Sequence, residues 1–424
     1  MKEGFRFVKL PKPLEQKIFI FLLGAVAFSI PFKASFNSLF SILLLTYWLV
    51  FLPKKFNLNQ VKAIGLLSTL FWLAVLGMIH TQNFEEGLFR FQQKSLLLAL
   101  PLIFISTNLE WQSQLPKVIS IFIIGVITAC LICLTVATSS WLVTHSTQHF
   151  FSQDLLETSI VDLYTYILAL LCFACIILLA ESYLGKLTLS GIFEKQSVKA
   201  IFISFFILFI LLLSVKQIIL ALVLLLFAYT IRINKRFNFL FLISGLAIII
   251  SAIYFIPALK ARVQEAIAEQ AKENPLDQNP EHGTALNGVA LRRALWVCAW
   301  DIIQQHLWLG VGSGDGQDEL QAAYEKREFV FAARYNRYNA HNQYLQVGIN
   351  FGLVGLLIWL ASFVWLALLY KHNWIFLCLI ALFMISMLTE SLLETNKGAL
   401  SMSFLLSLFS INFNTALRKE ECYA

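Results

Sequence analysis

Charge is what this chain has least of. Asp, Glu, Lys and Arg make up 13% of its 424 residues, against about 25% in an average soluble protein. Hydrophobic residues reach 58%, Phe alone fills 38 positions, and the mean hydropathy is +0.74. That balance excludes an ordinary soluble domain and points to an all-α polytopic membrane protein. The formal charge of +7 would suggest nucleic acid in a soluble chain. Here the basic residues gather between apolar runs, so the charge reads as topology signal and no nucleic-acid partner is expected. The seven cysteines supply no disulfide framework. Cys130-Leu-Ile-Cys133 and Cys172-Phe-Ala-Cys175 have the spacing of a zinc or redox site. Both lie inside apolar runs without polar neighbours, which makes them helix-packing residues, and Cys298 stands alone in a polar stretch. The first apolar run has no small-residue cleavage site and more runs follow at once, so it reads as a span and not a cleaved signal.

What is present is a series of about twelve apolar runs, each near the ~20 residues that cross a bilayer or somewhat shorter. They lie near 17–31, 36–52, 63–80, 92–107, 118–138, 160–180, 200–213, 217–231, 238–256, 344–370, 374–389 and 398–413. The seventh and eighth are split at Ser214-Val-Lys216-Gln217, because a charge at mid-run is costly in lipid unless it reaches an interface or polar cavity. With the amino terminus inside, eighteen basic residues fall on inner segments and five (Lys33, Arg90, Lys94, Lys216, Lys397) on short outer ones. Merging the seventh and eighth runs would put Arg232, Lys235 and Arg236 outside and spoil this asymmetry. Both termini are then cytoplasmic. The expected organisation is residues 1–256 as spans one to nine, 257–343 as a large outer helical loop carrying the site, and 344–424 as spans ten to twelve with a cytoplasmic tail.

That loop is the one long polar stretch. Residues 258–272 read as an amphipathic helix after Pro257, and Asn274 to Gly283 is turn-rich. A second helix, about 288–307, carries Arg292, Arg293, Trp296 and Trp300, with Arg292, Trp296 and Trp300 on one face. Gly310-Val-Gly-Ser-Gly-Asp-Gly316 breaks it, and a third helix runs about 317–333. The glycine run has two readings. It is a tight helix–helix turn, or its backbone N–H groups meet a phosphate. It lacks the strand and lysine of a nucleotide loop.

The loop ends in Arg334-Tyr-Asn-Arg337-Tyr-Asn-Ala-His341-Asn342, just before the next run begins. A titratable base beside fixed positive charge at a membrane face suits an anionic, lipid-linked substrate. Cationic neighbours favour the neutral imidazole, which is available as a base. His80, His145, His149, His282, His306 and His372 have no such setting. Ionisable groups at the edges of spans are the other candidates. Lys216 is one. Glu390 and Glu394 are others, with a structural ion pair between Glu394 and Lys397 as the alternative.

These residues together resemble the O-antigen ligase family, which includes O-antigen polymerases and some protein O-oligosaccharyltransferases. The resemblance is carried by Gly310-Val-Gly-Ser-Gly-Asp315 followed by Asn339-Ala-His341-Asn342-Gln-Tyr344-Leu-Gln346. It extends to Met78-Ile-His-Thr81-Gln-Asn83, Lys94-Ser-Leu-Leu-Leu-Ala-Leu-Pro101, Arg292-Arg-Ala-Leu-Trp296 and Glu390. It implies a bacterial inner-membrane glycosyltransferase whose site faces the periplasm, working without cofactor, metal or nucleotide. Its partners would be an undecaprenyl-diphosphate-linked glycan as donor, a lipid A–core hydroxyl as acceptor, and membrane lipids. His341 matches the family's histidine, the base. Arg292 matches its loop arginine, with Arg293 an off-by-one rival. Lys216 stands where the family has arginine, a change that keeps charge but loses the bidentate fork. Arg293, Arg334 and Arg337 join Lys216 as diphosphate-binding candidates, with Asn342, Tyr344 and Glu390 supporting. Inversion of the anomeric carbon is expected, since no carboxylate pair is evident at the loop end. A lipid or ion transporter is the remote alternative, disfavoured by the lack of an inverted repeat of spans.

Overall fold

The computed structural model describes residues 7–8, 10–107, 111–233, 288–329, 332 and 337–410. Among these the chain is helical throughout, with one isolated bridge between Lys54 and Thr107. The helices are α1 (Lys12–Ser29), α2 (Ala34–Phe51), α3 (Leu58–Leu67), α4 (Thr69–Gly77), α5 (Phe84–Lys94), α6 (Leu96–Ser106), α7 (Leu115–Thr144), α8 (Thr165–Tyr183), α9 (Gln196–Leu213) and α10 (Lys216–Ile233). After residue 287 come α11 (Gly288–Gln305), α12 (Gly316–Lys326), α13 (Gln343–Leu369), α14 (Trp374–Met387) and α15 (Asn396–Ser410). The expected ninth run, the 258–272 helix and the 274–283 turn lie outside the described residues.

A helical polytopic membrane protein is what these elements make, with fewer clear spans than the twelve expected. Six helical stretches among the described residues are long and apolar enough to cross a bilayer: 34–51, 84–106, 115–144, 165–183, 196–213 and 343–369. The bent pair α3–α4, turned by 64°, would make a seventh. One expected run, 238–256, lies outside the described residues, and the rest of the difference has physical causes. Lys12, Glu15 and Lys17 place three charges in α1, and α14 and α15 have only 14 and 15 residues. The expected 63–80 span bends at Ser68, whose hydroxyl donates back to the Ile64 carbonyl while that of Thr69 donates to Gly65 and Leu66. Such back-bonding competes with the helix ladder and bends it. The break expected at 214–217 is present. Ser214 has φ +54°, its N–H caps α9, and α10 begins at Lys216.

The tenth run is also broken. Gly352 interrupts α13 at φ +64°. The exposed backbone groups are met by the segment after α11. Leu353 N–H donates to Leu307 O and Val354 N–H to Trp308 O, while Val311 and Gly312 donate to Ile349 O and Asn350 O. A helix can open inside a membrane protein only where neighbouring protein satisfies the freed groups, as here. Glycine is required at the break, because a Cβ on Gly352 would stand 2.4 Å from Trp308 backbone atoms. Gly352→Ala is therefore expected to cost at least about 2 kcal/mol, from the left-handed conformation and a clash with backbone that cannot yield. A thermal unfolding midpoint equal to the parent's would remove this role.

Two apolar cores organise the chain. The larger runs through the helices from α1 to α10 and α13 to α15. The smaller joins α11 and α12 through Leu295, Cys298, Ile302, Leu320 and Tyr324, and reaches Ile349 of α13. It fixes the polar segment onto the broken helix. Helices α8 and α9 are antiparallel, since Gln196 and Lys199 at the start of α9 donate to Tyr183 O and Ser182 O at the end of α8. The start of α10 is thus at the same end as the start of α8.

Candidate functional site

The site is built where α13 begins. His341 is held in a left-handed turn, φ +43°. Its N–H donates to the Asn339 side chain, and Ala340 N–H to Gln346 Oε1. Asn342 then caps α13, its Oδ1 accepting from the N–H groups of Tyr344 and Leu345, which satisfies donors a helix start leaves unpaired. Its Nδ2 donates to Leu388 O and its N–H to Ser391 Oγ. Gln343 accepts from Leu393 N–H and donates to Glu394, and Tyr344 OH donates to Met384 O. Asn342, Gln343 and Tyr344 therefore fasten the histidine turn to the end of α14 and the turn after it.

That turn carries two carboxylates, each in its own cluster. Glu390 is 5% exposed. One of its oxygens takes the Arg292 guanidinium and the other lies 3.0 Å from His341 Nδ1. Arg292 also donates from Nε to Thr389 O at 2.9 Å and from a terminal nitrogen to Gly288 O. A carboxylate on Nδ1 selects the tautomer with the proton there, and leaves Nε2 as the imidazole's acceptor nitrogen. Tyr166, at the start of α8, lies near Glu390, Arg292 and Thr395.

Glu394 forms the second cluster. Lys94 Nζ is 2.9 Å from Oε2 and Arg90 is 3.9 Å away, its guanidinium also held by Glu86 at 2.7 Å. Burial works to raise the Glu394 carboxyl, but Lys94 and Arg90 hold it below the ordinary value. A depressed carboxyl adds stability at pH values above its unfolded value of about 4.3, and loses it as pH falls through the folded value. Lys94 is 1% exposed. Glu394→Gln should therefore cost about 3–5 kcal/mol by stranding a buried cation, while Glu394→Leu combined with Lys94→Met should cost much less. Thermal unfolding of both variants checks this, and a single variant no less stable than the double one would contradict it.

The glycine run lies against the same end. Five of its N–H groups are spent on protein: Gly310 on His306 O, Val311 on Ile349 O, Gly312 on Asn350 O, Ser313 on Gly77 O and Gly314 on Thr81 Oγ1. Asp315 accepts from the N–H groups of Gln82 and Asn83, and Asp318 from Asn83 Nδ2. Of its two readings, the packed turn is the one these bonds fit. The turn clamps the Thr81–Asn83 segment at the start of α5, which carries Arg90 and Lys94.

The candidate residues separate clearly. His341, Arg292 and Glu390 come together, with Asn342 and Tyr344 as their supports. Arg293 is half-buried and makes no hydrogen bond or ion pair among the described residues, so Arg292 is the arginine that reaches the turn. Arg337 is largely exposed and pairs with Asp318. Arg334 lies outside the described residues. Lys216 is half-buried at the site end, at the start of α10. Lys397 does not pair with Glu394. Its ammonium is buried with no hydrogen-bond partner among the described residues, because Lys94 occupies the carboxylate. The cysteine pairs are free thiols, fully buried where α7 meets α8, with Cys130 and Cys172 sulfurs 3.6 Å apart. Sequence reasoning missed the roles of Arg90 and Lys94. The rule that flags ionisable groups in spans applies to Lys94, which falls inside the expected 92–107 run.

Residues 200–360 match a family model described as O-antigen ligase. The match includes Lys216, Arg292, His341 and the break at Gly352, and ends before Glu390. No curated protein matches the chain significantly.

Proposed function

We propose, on the premise of an O-antigen ligase domain at residues 200–360 within a helical membrane protein, that this chain moves a glycan from undecaprenyl diphosphate to a hydroxyl of lipid A–core. The single observation behind this reading is the Arg292–Glu390–His341 chain at the start of α13, with His341 Nδ1 3.0 Å from the carboxylate. The acceptor oxygen attacks the anomeric carbon as the bond from that carbon to the diphosphate oxygen breaks. The hydroxyl proton passes to His341 Nε2, and undecaprenyl diphosphate leaves with the bonding electron pair. Glu390 orients the imidazole and is itself held by Arg292. A neutral histidine suits this proton transfer near pH 7.

The leaving diphosphate gains charge as the bond breaks. Fixed cations at that end bind it more strongly in the transition state than in the ground state. Arg292 and Lys216 are the groups assigned this role, with Arg90 beside them, whereas Lys94 is buried in its pair with Glu394. One displacement inverts the anomeric configuration. The site faces the periplasm, with both termini in the cytoplasm. A strain lacking this chain should keep long glycan on the lipid carrier and lose it from lipid A–core. Shortened carrier-linked chains would instead make the protein a polymerase, and unchanged lipopolysaccharide would refute the ligase reading.

A further inference from the structure

The largest cavity among those described is far from the histidine. It is a cleft of about 750 Å³ between α1 and α7, closed at one side by Phe40 of α2. The two helices touch at Gly125, where a Cβ would stand 2.6 Å from the Phe28 carbonyl oxygen. From that contact the cleft extends toward the start of both helices. Its inner wall is apolar, formed by Ile20, Phe21, Gly24, Phe28 and Ile121. Its mouth is polar and cationic, with Lys17 and Gln16 from α1 and Lys117 and Gln114 from α7.

Three observations say what this cleft suits. First, its polarity is graded along the helices, as in a phospholipid: apolar within, cationic at the rim. Second, Lys17 and Lys117 are exposed, and neither forms an ion pair among the described residues. The nearby acid, Glu15, is 1% exposed and does not line the cleft; its side chain accepts from Leu10 N–H. Among the described residues the mouth therefore carries two positive charges that no carboxylate pairs with. Third, its depth is fixed. The ends of α2 and α6 meet through Lys55 N–H on Ser106 O, and Phe7 and Val8 donate to Val50 O. These contacts mark the end away from the histidine, since α6 starts beside Lys94 and ends there. The mouth lies at that end, in the leaflet opposite the site.

We infer that the α1–α7 cleft binds an anionic phospholipid such as phosphatidylglycerol, its phosphate between Lys17 and Lys117 and an acyl chain against Ile20, Phe21 and Phe28. A basic pocket between helices in one leaflet selects lipids by headgroup charge. Acyl chains supply the apolar contact and the lysines supply discrimination. With the termini cytoplasmic, this is the inner leaflet, where the anionic surface potential adds to the attraction.

The full-length protein, purified in mild detergent, can be titrated with phosphatidylglycerol or phosphatidylcholine and the bound lipid counted by native mass spectrometry. The parent should retain phosphatidylglycerol in preference to phosphatidylcholine. Lys17→Gln with Lys117→Gln should weaken phosphatidylglycerol binding by at least about tenfold, from two lysines near an anionic surface. Lys17→Arg with Lys117→Arg should keep it, which guards against a merely misfolded variant. Equal retention of both lipids by the parent would overturn the proposal. So would undiminished phosphatidylglycerol binding by the Gln variant, or a second copy of the chain in place of lipid.

Discussion

His341→Ala should lose glycan transfer by about 10²–10⁴-fold, the usual cost of removing a general base. The protein should still insert and purify, because the bonds that fasten the turn belong to Asn342, Gln343 and Tyr344 and not to the imidazole. Glu390→Gln gives the companion result. An amide can still hold the ring through its oxygen but no longer carries the charge that pairs with Arg292. Its transfer should fall less than that of His341→Ala, with an altered pH profile. Transfer measured with purified variants decides the matter. Near-normal turnover by His341→Ala would remove the histidine from the mechanism and leave the cations as the main suspects.

Arg292→Ala should lose transfer by about 10²–10³-fold, the range for deleting one donor to a developing oxyanion. Two effects combine there. The guanidinium is a candidate for the diphosphate, and it also holds Glu390 and the Thr389 carbonyl at the turn. Arg292→Lys should recover little, since one ammonium cannot span those two acceptors. Lys216 gives the contrasting case. Lys216→Arg should retain activity and Lys216→Ala should lose much of it, because charge-assisted hydrogen bonds to phosphate are roughly twice as strong as neutral ones. If Lys216→Ala works as well as the parent while Arg292→Ala is dead, the second phosphate contact belongs to another cation. Arg90 would then be examined before Arg293 or Arg337.

Local pattern made much of this legible. The polar break at 214–217 showed in the sequence because charge in an apolar run is costly, and Ser214 turns the chain there. His341 stood out because it closes a polar stretch just before a span. Long-range pairing was not legible. The sequence offers Glu394 a neighbour three residues away in Lys397, but the fold pairs it with Lys94, 300 residues distant. Arg337 and Arg334 were natural partners for His341 by proximity, yet Arg337 faces Asp318 and the histidine turns to a carboxylate. The shape of the spans was hidden for a related reason. Hydropathy marks apolar runs but not where a helix bends, as at Ser68, or opens, as at Gly352. Those events depend on what lies alongside, and at Gly352 that is the Leu307–Gly312 segment.

Transfer of a glycan from a lipid diphosphate to lipid A–core is the proposed activity of this site. The most direct measurement incubates the purified protein with undecaprenyl-diphosphate glycan and lipid A–core in detergent, and separates the products by mass. The expected products are glycan joined to lipid A–core with inverted anomeric configuration and free undecaprenyl diphosphate in equal amount, with neither formed by His341→Ala. Longer carrier-linked chains with unmodified lipid A–core, or transfer that persists in His341→Ala, would contradict the proposal.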